Sequence, residues 1–178
     1  LGGVVQQVTE HAQLPVMVVR ESFNGLKRVL LVVDGSEESS TMISCMGTFP
    51  MPKDTEFDIL HIAPPVPTKD EIIRQWHGGF DITFTIPLQE IQKEVKIRAE
   101  KEDIFGKELL KNSAEQLKLA GIDSKSILLR GDAATEIIQY AKEHEVDLIV
   151  CGGRGLGPIK SWVLGSVSRK LLHYANCS

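Results

Sequence analysis

The sequence predicts an α/β fold: an open, mostly parallel five-stranded sheet with helices on both faces. Short runs rich in Val, Ile and Leu at residues 28–33, 57–62 and 147–151 are typical of strands buried on both faces. Segments with the helical spacing of apolar residues lie between these runs. Strands that alternate with helices build parallel β-α units, so we expect both faces of the sheet to be covered.

The first half of the chain predicts two strands and one helix. Residues 28–33 form the first strand, and Ser36 in the turn after it is placed to cap the following helix. Residues 57–62 form the second strand, which ends at Pro64 and Pro65 because proline cannot continue a ladder. Residues 66–88 then break the alternation, and we expect an inserted flap there.

The second half predicts a long or broken helix over residues 90–120, with Gly121 as its C-cap. A third strand, a helix, a fourth strand and a last helix follow at about residues 126–129, 135–144, 147–151 and 165–174. The terminal strand of such a sheet is missing at the C-terminus, where the chain reads Cys177-Ser178.

Composition excludes several classes of protein. The chain has 178 residues, of which 42% are hydrophobic and 25% charged, as expected for one globular domain. A net charge of −4 gives no basic excess, and the apolar runs are far shorter than the roughly 20 residues of a bilayer span, so we expect neither nucleic acid nor membrane as partner. The three cysteines form no C-x-x-C pair, which favours the cytoplasm and argues against disulfides and structural zinc.

Two glycine-rich points flank the loop between the fourth strand and the last helix. Residues 152–155 read Gly-Gly-Arg-Gly, and nine residues later Gly165-Ser166 opens the helix. Glycines let the backbone N–H groups approach an anion, and the helix start adds unpaired donors and a positive dipole end. The spacing fits neither the P-loop nor the dinucleotide-binding fingerprint. The pattern therefore predicts a different kind of phosphate site.

The motif Gly152-x2-Gly155-x9-Gly165-Ser166 is similar to that of the nucleotide-binding branch of the universal stress protein family. Three further segments agree with the family in the right order: residues 32–34, 60–62 and 131–137. The resemblance covers residues 27–178 apart from the insertion. It implies the adenine nucleotide alpha hydrolase-like fold.

The resemblance also implies the ligand, ATP with or without Mg²⁺. In the family, the glycines and the following serine hold the phosphates, the aspartate after the first strand lies near the ribose, and apolar residues of the first two strands contact adenine. The residues expected to bind the nucleotide are Val32, Asp34, Ile62, Gly152, Arg154, Gly155, Gly165, Ser166 and Val167.

Several of these residues also have a structural interpretation. Asp34 either caps the first helix together with Ser36 or contacts ribose or Mg²⁺, and Ser166 is either an N-cap or a phosphate ligand. Arg154 reaches phosphate or solvent. His61 is interpreted as a hydrogen-bonded structural residue, because no nucleophile or carboxylate partner is identifiable beside it.

The resemblance implies a protein that acts in stress response through ATP occupancy and dimerisation. We identify no catalytic residue and no metal ligand set, so enzymatic activity would amount at most to slow ATP hydrolysis. Two alternatives remain open: a slow Mg²⁺-dependent ATP hydrolase, with Asp34 and Asp132 as the candidate acids, and a pairing module with a vestigial pocket. In the insertion, Trp76 and His77 form either a lid or a small apolar cluster.

An internal repeat changes the expected domain organisation. Residues 1–4 and Ala12 align with residues 164–167 and Ala175 at a constant offset of 163, and the strand-like residues Pro15 to Val19 follow. We therefore expect residues 1–20 to be the tail of a preceding domain, 21–27 a linker and 28–178 the second domain of a tandem protein. In this family the terminal strands pair, so residues 15–19 are predicted to lie beside the fourth strand or to enter another chain, giving a homodimer or pseudo-dimer.

Overall fold

The sheet is built from short apolar strands that are covered on both sides. The computed structural model describes residues 3–12, 14–20, 23, 25–68, 70–71, 88–153 and 164–178. Within these residues four parallel strands lie in the order β3-β2-β1-β4. They are β1 (Arg28–Val32), β2 (Glu56–Ala63), β3 (Ser124–Arg130) and β4 (Leu148–Cys151). The α/β class and the parallel sheet are confirmed, with four of the five expected strands.

Five helices occur in the described parts of the chain. They are α1 (Gly3–His11), α2 (Glu37–Met46), α3 (Leu88–Leu119), α4 (Ala133–Glu143) and α5 (Ser166–Tyr174). The segment expected to be long or broken is the single 32-residue helix α3. None of these helices combines the length and apolarity needed to cross a bilayer.

Alternating side chains of β1 divide the core into two layers. Val29, Leu31 and Val33 join the cluster packed under α2 and α3. Leu30 joins the opposite cluster, where Ile137 and Leu171 cover it from α4 and α5. This period of two is what places consecutive residues of a buried strand on opposite faces.

Local capping signals explain where three helices begin or end. Ser36 caps α2 by accepting from the Ser39 N–H at 3.2 Å, and Asp132 caps α4 by accepting from the Thr135 N–H at 3.1 Å. After α3, Gly121 takes φ +82°, and the Ile122 N–H reaches back to the Leu117 carbonyl at 2.9 Å. This left-handed glycine ending confirms the expected C-cap at Gly121.

Residues 15–19 do not extend the sheet. They have no strand structure and form no ladder with β4, and Val19 is 60% exposed. Instead, the Ser178 N–H donates to the Asp147 carbonyl at 3.1 Å, and the Ile149 N–H donates to the Ser178 carbonyl at 2.8 Å. This pair of bonds is the parallel ladder pattern. The expected placement of residues 15–19 beside β4 is therefore wrong within this chain, and Ser178 lies there.

Most of the insertion at residues 66–88 lies outside the described residues, including Trp76 and His77. Its expected flap and the two interpretations of those side chains therefore stay predictions. The loop that leads into it is held by Arg130, whose guanidinium donates to the Pro64 carbonyl at 2.7 Å and to the Asp103 carboxylate.

Candidate functional site

The centre of the sheet contains a reversal of strand order. β1 and β4 are neighbours, with Val32 opposite Cys151, although they are the first and last strands along the chain. The chain after β1 enters α2 on one face, whereas the chain after β4 leads to α5 on the other. Such a reversal opens a crevice at the carboxyl ends of the strands, where ligands bind in open α/β sheets.

The glycine segment after β4 is bonded to the start of α5. The Gly165 N–H donates to the Gly153 carbonyl at 2.8 Å. The Ser168 hydroxyl donates to the Gly152 carbonyl at 2.7 Å. These bonds bring together two glycine points that are separated in sequence, so three of the predicted residues, Gly152, Gly165 and Ser166, lie close together.

The N-terminus of α5 has no side-chain cap. Gly165 is the N-cap residue, and no acidic residue occupies the first turn. The first N–H groups of a helix have no intrahelical acceptor, so those of Ser166 and Val167 can donate to a ligand. Together with the positive end of the helix dipole, they favour an anion at this point.

Ser166 is the first helical residue rather than the N-cap. Its side chain is exposed and makes no hydrogen bond to a described residue. The interpretation of Ser166 as an N-cap is therefore wrong, because the preceding residue Gly165 occupies that position.

Backbone conformation does not require glycine at position 153 or position 165. Gly165 has φ −58° and ψ 153°, a region open to all residues, and Gly153 is not among the glycines with positive φ. A Cβ added at Gly153 would meet only the Leu164 side chain at 3.9 Å, an ordinary contact distance. The lack of side chains therefore leaves the backbone accessible, which is the property that an anion site needs.

Asp34 follows β1, whose last residue Val32 pairs with Cys151 at the end of β4. Its Oδ1 accepts from the Ser36 N–H at 2.9 Å and from the Ser36 hydroxyl at 2.5 Å. Oδ2 has no hydrogen-bond partner among the described residues. Burial raises the pKa of the Cys151 thiol, and the Asp34 charge adds to that rise. Asp34 therefore holds the turn before α2 through Oδ1, and its Oδ2 is available to a ligand.

A partly exposed apolar surface adjoins the crevice. Val32, Ile62 and Val167 all pack at the margin of the cluster on the α4 and α5 side. All three are only half-buried. The predicted apolar contacts from two strands and one helix therefore share one face next to the uncapped helix start.

His61 of β2 is hydrogen-bonded to the backbone just after β1. Its Nδ1 lies 2.8 Å from the Val33 carbonyl oxygen, and the ring is 6% exposed. The Phe105 ring meets it edge-on at 5.7 Å between centroids, while Gly106 lies against its Cδ2. This geometry confirms the structural interpretation of His61. By holding the Val33 carbonyl, His61 fixes the peptide that leads into Asp34.

Cys151 is the last residue of β4 and lies opposite Val32. Burial raises the pKa of its thiol, and the hydroxyl of Ser168 lies 3.9 Å from its sulfur. The raised pKa disfavours the thiolate, which is the nucleophilic form, and the side chain packs against the cluster on the α4 and α5 side.

Arg154 and Gly155 lie outside the described residues, so their predicted phosphate contacts stay predictions. In the part of the chain that the structure describes, no three His, Cys, Asp or Glu side chains cluster as metal ligands. A groove of about 560 Å³ between α3 and β3 lies away from the crevice and contains none of the predicted residues.

Ser168 and the two carbonyls that anchor the loop, those of Gly152 and Gly153, were not predicted from the sequence. Ser168 follows Ser166 by two residues in the first turn of α5, where its side chain points back toward the end of β4. A second serine in the first turn of a helix that follows a glycine segment was the available signal.

Residues 25–178 match the profile described as the Universal stress protein family. Among curated relatives, the chain is 31% identical over 153 residues to Universal stress protein YxiE of Bacillus subtilis (strain 168), covering 84% of this chain and 94% of the relative. The solved structure of MJ0577, a protein of Methanocaldococcus jannaschii, has a TM-score of 0.62 at 24% identity, covering 85% of this chain and 91% of that chain.

Two further solved structures with this fold contain nucleotides. One is described as a universal stress protein in complex with cAMP, with a TM-score of 0.53 at 18% identity and coverage of 87% of this chain and 94% of that one. The other is the Arabidopsis thaliana family protein At3g01520 with AMP bound, with a TM-score of 0.50 at 18% identity and coverage of 85% and 88%. The match over residues 25–178, together with the relative at 31% identity, establishes that this chain belongs to the universal stress protein family.

Proposed function

We propose that this chain binds an adenine nucleotide, with ATP as the first candidate, in the crevice between β1 and β4. The observation that carries the proposal is the uncapped start of α5, bonded through the Gly165 N–H to the Gly153 carbonyl at 2.8 Å. A nine-residue helix that presents free N–H groups beside glycine backbone favours an anion at its start. Family members solved with cAMP and with AMP support a nucleotide as the source of that anion.

The crevice offers a partner for each part of the nucleotide. The phosphates would meet the glycine backbone and the N–H groups and hydroxyl at the start of α5. The half-buried Val32 and Ile62 would contact the base, because burying their exposed apolar surface is favourable. Asp34 would use Oδ2, which has no partner among the described residues, toward a ribose hydroxyl or Mg²⁺. Arg154 and Gly155 complete the proposed set of phosphate contacts.

We further propose that the chain acts in stress response through nucleotide occupancy and pairing with a second domain, in the cytoplasm. The position of β4 supports pairing, because β4 is an outer strand in the order β3-β2-β1-β4 of the described sheet. A homodimer or pseudo-dimer through residues 15–19 uses the same edge.

The nucleotide proposal is tested on freshly purified protein. The protein is denatured, any released nucleotide is identified by chromatography, and ATP is titrated by calorimetry with and without Mg²⁺. ATP that co-purifies, or that binds with a saturating one-site isotherm, supports the proposal. An empty protein that gives no heat with ATP, AMP or cAMP contradicts it and favours a pairing module with a vestigial pocket.

The second candidate function is slow ATP hydrolysis, which the half-free carboxylate of Asp34 favours as a Mg²⁺ ligand. Phosphate release is measured for the wild type and for Asp34→Ala at saturating ATP. Hydrolysis that disappears in Asp34→Ala while ATP affinity persists supports the enzyme. Parallel loss of affinity and turnover, or no turnover above background, leaves nucleotide binding alone.

A further inference from the structure

The outer strand β3 forms a groove with the C-terminal part of α3, which we call the α3–β3 groove. It has a volume of about 560 Å³. On the β3 side it is lined by the alternate residues Ser124, Ser126 and Leu128, and on the helix side by a stripe from Lys107 to Lys118. This stripe rises about 16 Å along the helix axis, since each helical residue adds about 1.5 Å. The groove therefore matches about five residues of extended chain, at about 3.3 Å each.

The β3 wall of the groove carries backbone groups that no strand satisfies. In the described sheet, β3 pairs with β2 and with no other strand. Arg130 lies opposite Ala63, and the N–H of Gly131, which follows β3, donates to the Ala63 carbonyl at 3.1 Å. Alternate residues of a strand direct their backbone groups to the same side, so odd-numbered residues of β3 face β2, whereas Ser126 and Leu128 face outward. The outward N–H and carbonyl groups have no hydrogen-bond partner among the described residues.

The floor of the groove is apolar and only partly covered. Ala114, Ile122 and Leu128 are half-buried, and they pack against the core cluster beneath α2 and α3. At the end of the groove where β3 begins, the Ser124 hydroxyl oxygen is buried and has no hydrogen-bond partner in the described part of the chain. A buried hydroxyl without a partner costs free energy. The groove thus lacks both cover for its apolar floor and a partner for one polar group.

Positive charge lines the helix side of the groove. Lys107 and Lys118 are exposed and form no ion pair with a described residue. Lys111 lies 4.0 Å from Glu115, and both side chains of this pair are exposed, so the pair is weak. Asp123 is the second carboxylate of the groove. The lysines outnumber the carboxylates, so electrostatic complementarity favours an acidic occupant.

We propose that the α3–β3 groove binds a short acidic segment of a partner protein, which adds to β3 as a further strand. The backbone of the segment would pair with the outward N–H and carbonyl groups of Ser126 and Leu128. Its apolar side chains would cover the groove floor, and its carboxylates would lie within reach of Lys107 and Lys118. Strand addition of this kind derives affinity from main-chain hydrogen bonds and specificity from side-chain pockets. The proposal does not rest on nucleotide binding, because the groove contains none of the residues of the proposed nucleotide site.

A second copy of this chain fits the groove less well than an acidic segment. Pairing of two β3 edges would bring the lysine stripes of two α3 helices toward each other, and like charges at such a contact are unfavourable. The β3 strand itself also carries the exposed Lys125. Lysine at a sheet edge opposes self-association, while it leaves the edge open to a segment of opposite charge.

The probe for the test is a fluorescein-labelled peptide of alternating Glu and Val, about seven residues long, so that it spans the groove. It is titrated with the 178-residue chain and followed by fluorescence anisotropy. A Lys–Val peptide controls for charge, and a Glu–Val peptide methylated on its backbone nitrogens controls for main-chain pairing. We expect saturable binding of the Glu–Val peptide and at least about 10-fold weaker binding of both controls. No saturable binding of the Glu–Val peptide, or equal binding of either control, would overturn the proposal.

Two charge reversals on α3 test where the peptide binds. Lys107→Glu reverses a charge that lines the groove, whereas Lys101→Glu reverses an exposed charge on the same helix that does not line it. Both variants change the net charge equally, so the long-range attraction of the peptide changes alike. Lys107→Glu should weaken peptide binding by about 5-fold or more, and Lys101→Glu by less than about 2-fold. Equal weakening would show that the peptide responds to net charge rather than to the groove, which would contradict the proposal.

Ser126→Pro tests strand addition from the side of the protein. Proline removes an N–H that β2 does not use, and its ring projects from the open edge, so the ladder with β2 is kept. Peptide binding should be lost in Ser126→Pro and kept in Ser126→Ala, with matching circular dichroism spectra. If Ser126→Pro does not fold, Lys107→Glu and the methylated peptide decide the question. Self-association of the chain that Ser126→Pro abolishes, without binding of the peptide, would identify a second copy as the occupant and refute the proposal.

Discussion

The Ser168 hydroxyl donates to the carbonyl oxygen of Gly152 at 2.7 Å, joining the first turn of α5 to the loop that follows β4. With the bond between the Gly165 N–H and the Gly153 carbonyl, it fixes the glycine backbone at the start of an uncapped helix. The proposed nucleotide site depends on this arrangement, because preorganised donors lose little freedom when a ligand binds.

Replacing Ser168 by Ala should weaken ATP binding by about 5-fold, since one hydrogen bond is worth about 1 kcal/mol. The helix itself should persist, because alanine has a higher helix propensity than serine. Calorimetric titration measures the affinity, and Ser44→Ala on the exposed side of α2 serves as a control that removes a similar helical hydroxyl bond. Unchanged affinity in Ser168→Ala would show that the bond does not organise the site.

Gly106 permits close packing of α3 on the sheet. A Cβ at this position would lie 2.7 Å from Leu128 Cδ1 and 2.8 Å from His61 Cδ2, both shorter than real contacts. Gly106→Ala should therefore lower the free energy of unfolding by about 1–3 kcal/mol despite the better helix propensity of alanine. Urea denaturation measures the change. The exposed Glu108→Ala on the same helix is the control, and equal stability of the two variants would contradict the predicted clash.

Tyr140 connects α4 to β2 through a hydrogen bond from its hydroxyl to Asp58 Oδ2 at 2.9 Å. Tyr140→Phe should lower the free energy of unfolding by about 1–2 kcal/mol at neutral pH, because the half-buried Asp58 carboxylate loses a donor. Thermal and urea unfolding measure this loss. A variant as stable as the wild type would show that water replaces the phenol at no cost.

The same side chain predicts an alkaline effect. Burial and the Asp58 carboxylate raise the pKa of the Tyr140 phenol above its ordinary value. Its contribution to stability is therefore present below pH about 10, the pKa of an unfolded tyrosine, and is lost progressively above it. The free energy of unfolding is measured from about pH 8 to about pH 11. It should fall less steeply with pH in Tyr140→Phe than in the wild type. Identical slopes would contradict the shift.

The cysteines should differ in reactivity. Burial raises the pKa of the thiols of Cys151 and Cys177, whereas Cys45 is exposed on α2. Because the thiolate is the reactive form, iodoacetamide at neutral pH should modify Cys45 first. Peptide mass spectrometry over time measures the order. Modification of Cys151 as fast as that of Cys45 would mean that the end of β4 opens readily.

Local patterns were sufficient to predict most of the fold. The buried runs ending at Val33 and Cys151 identify strands without ambiguity, because an apolar stretch of four to six residues between turns is too short for a helix. Ser36 and Gly121 were predictable as caps, since each satisfies backbone groups within a few residues of itself. Capping signals of this kind depend only on residues within a few positions of the helix end.

Features that depend on tertiary contacts were less predictable. Phe105 has helical spacing with other apolar residues of α3, yet it is 43% exposed even though it lies close to Gly35 and the His61 ring. Residues 15–19 read as a strand, but a strand forms only where a sheet edge accepts it, and Ser178 lies beside β4 in this chain.

In the candidate site, too, features encoded by local sequence were predictable and features that depend on tertiary contacts were not. The glycines were predicted as a phosphate site from their residue type and spacing, and Asp34 was predicted near the ribose from the family resemblance; both assignments stay predictions. The Ser168 bond was missed because it depends on how α5 packs against the end of β4, which no local pattern encodes. The N-cap interpretation of Ser166 failed because a glycine N-cap gives no side-chain signal of its own.

The most direct test of the central claim is a calorimetric titration of the wild type and Gly165→Val with ATP. The backbone at Gly165, with φ −58° and ψ 153°, accepts a branched residue, so the variant should fold while its side chain fills the place proposed for phosphate. We predict a one-site isotherm for the wild type and no measurable binding for Gly165→Val, with matching circular dichroism spectra. Equal ATP affinity in the two folded proteins, or no binding by the wild type, would contradict the proposed site.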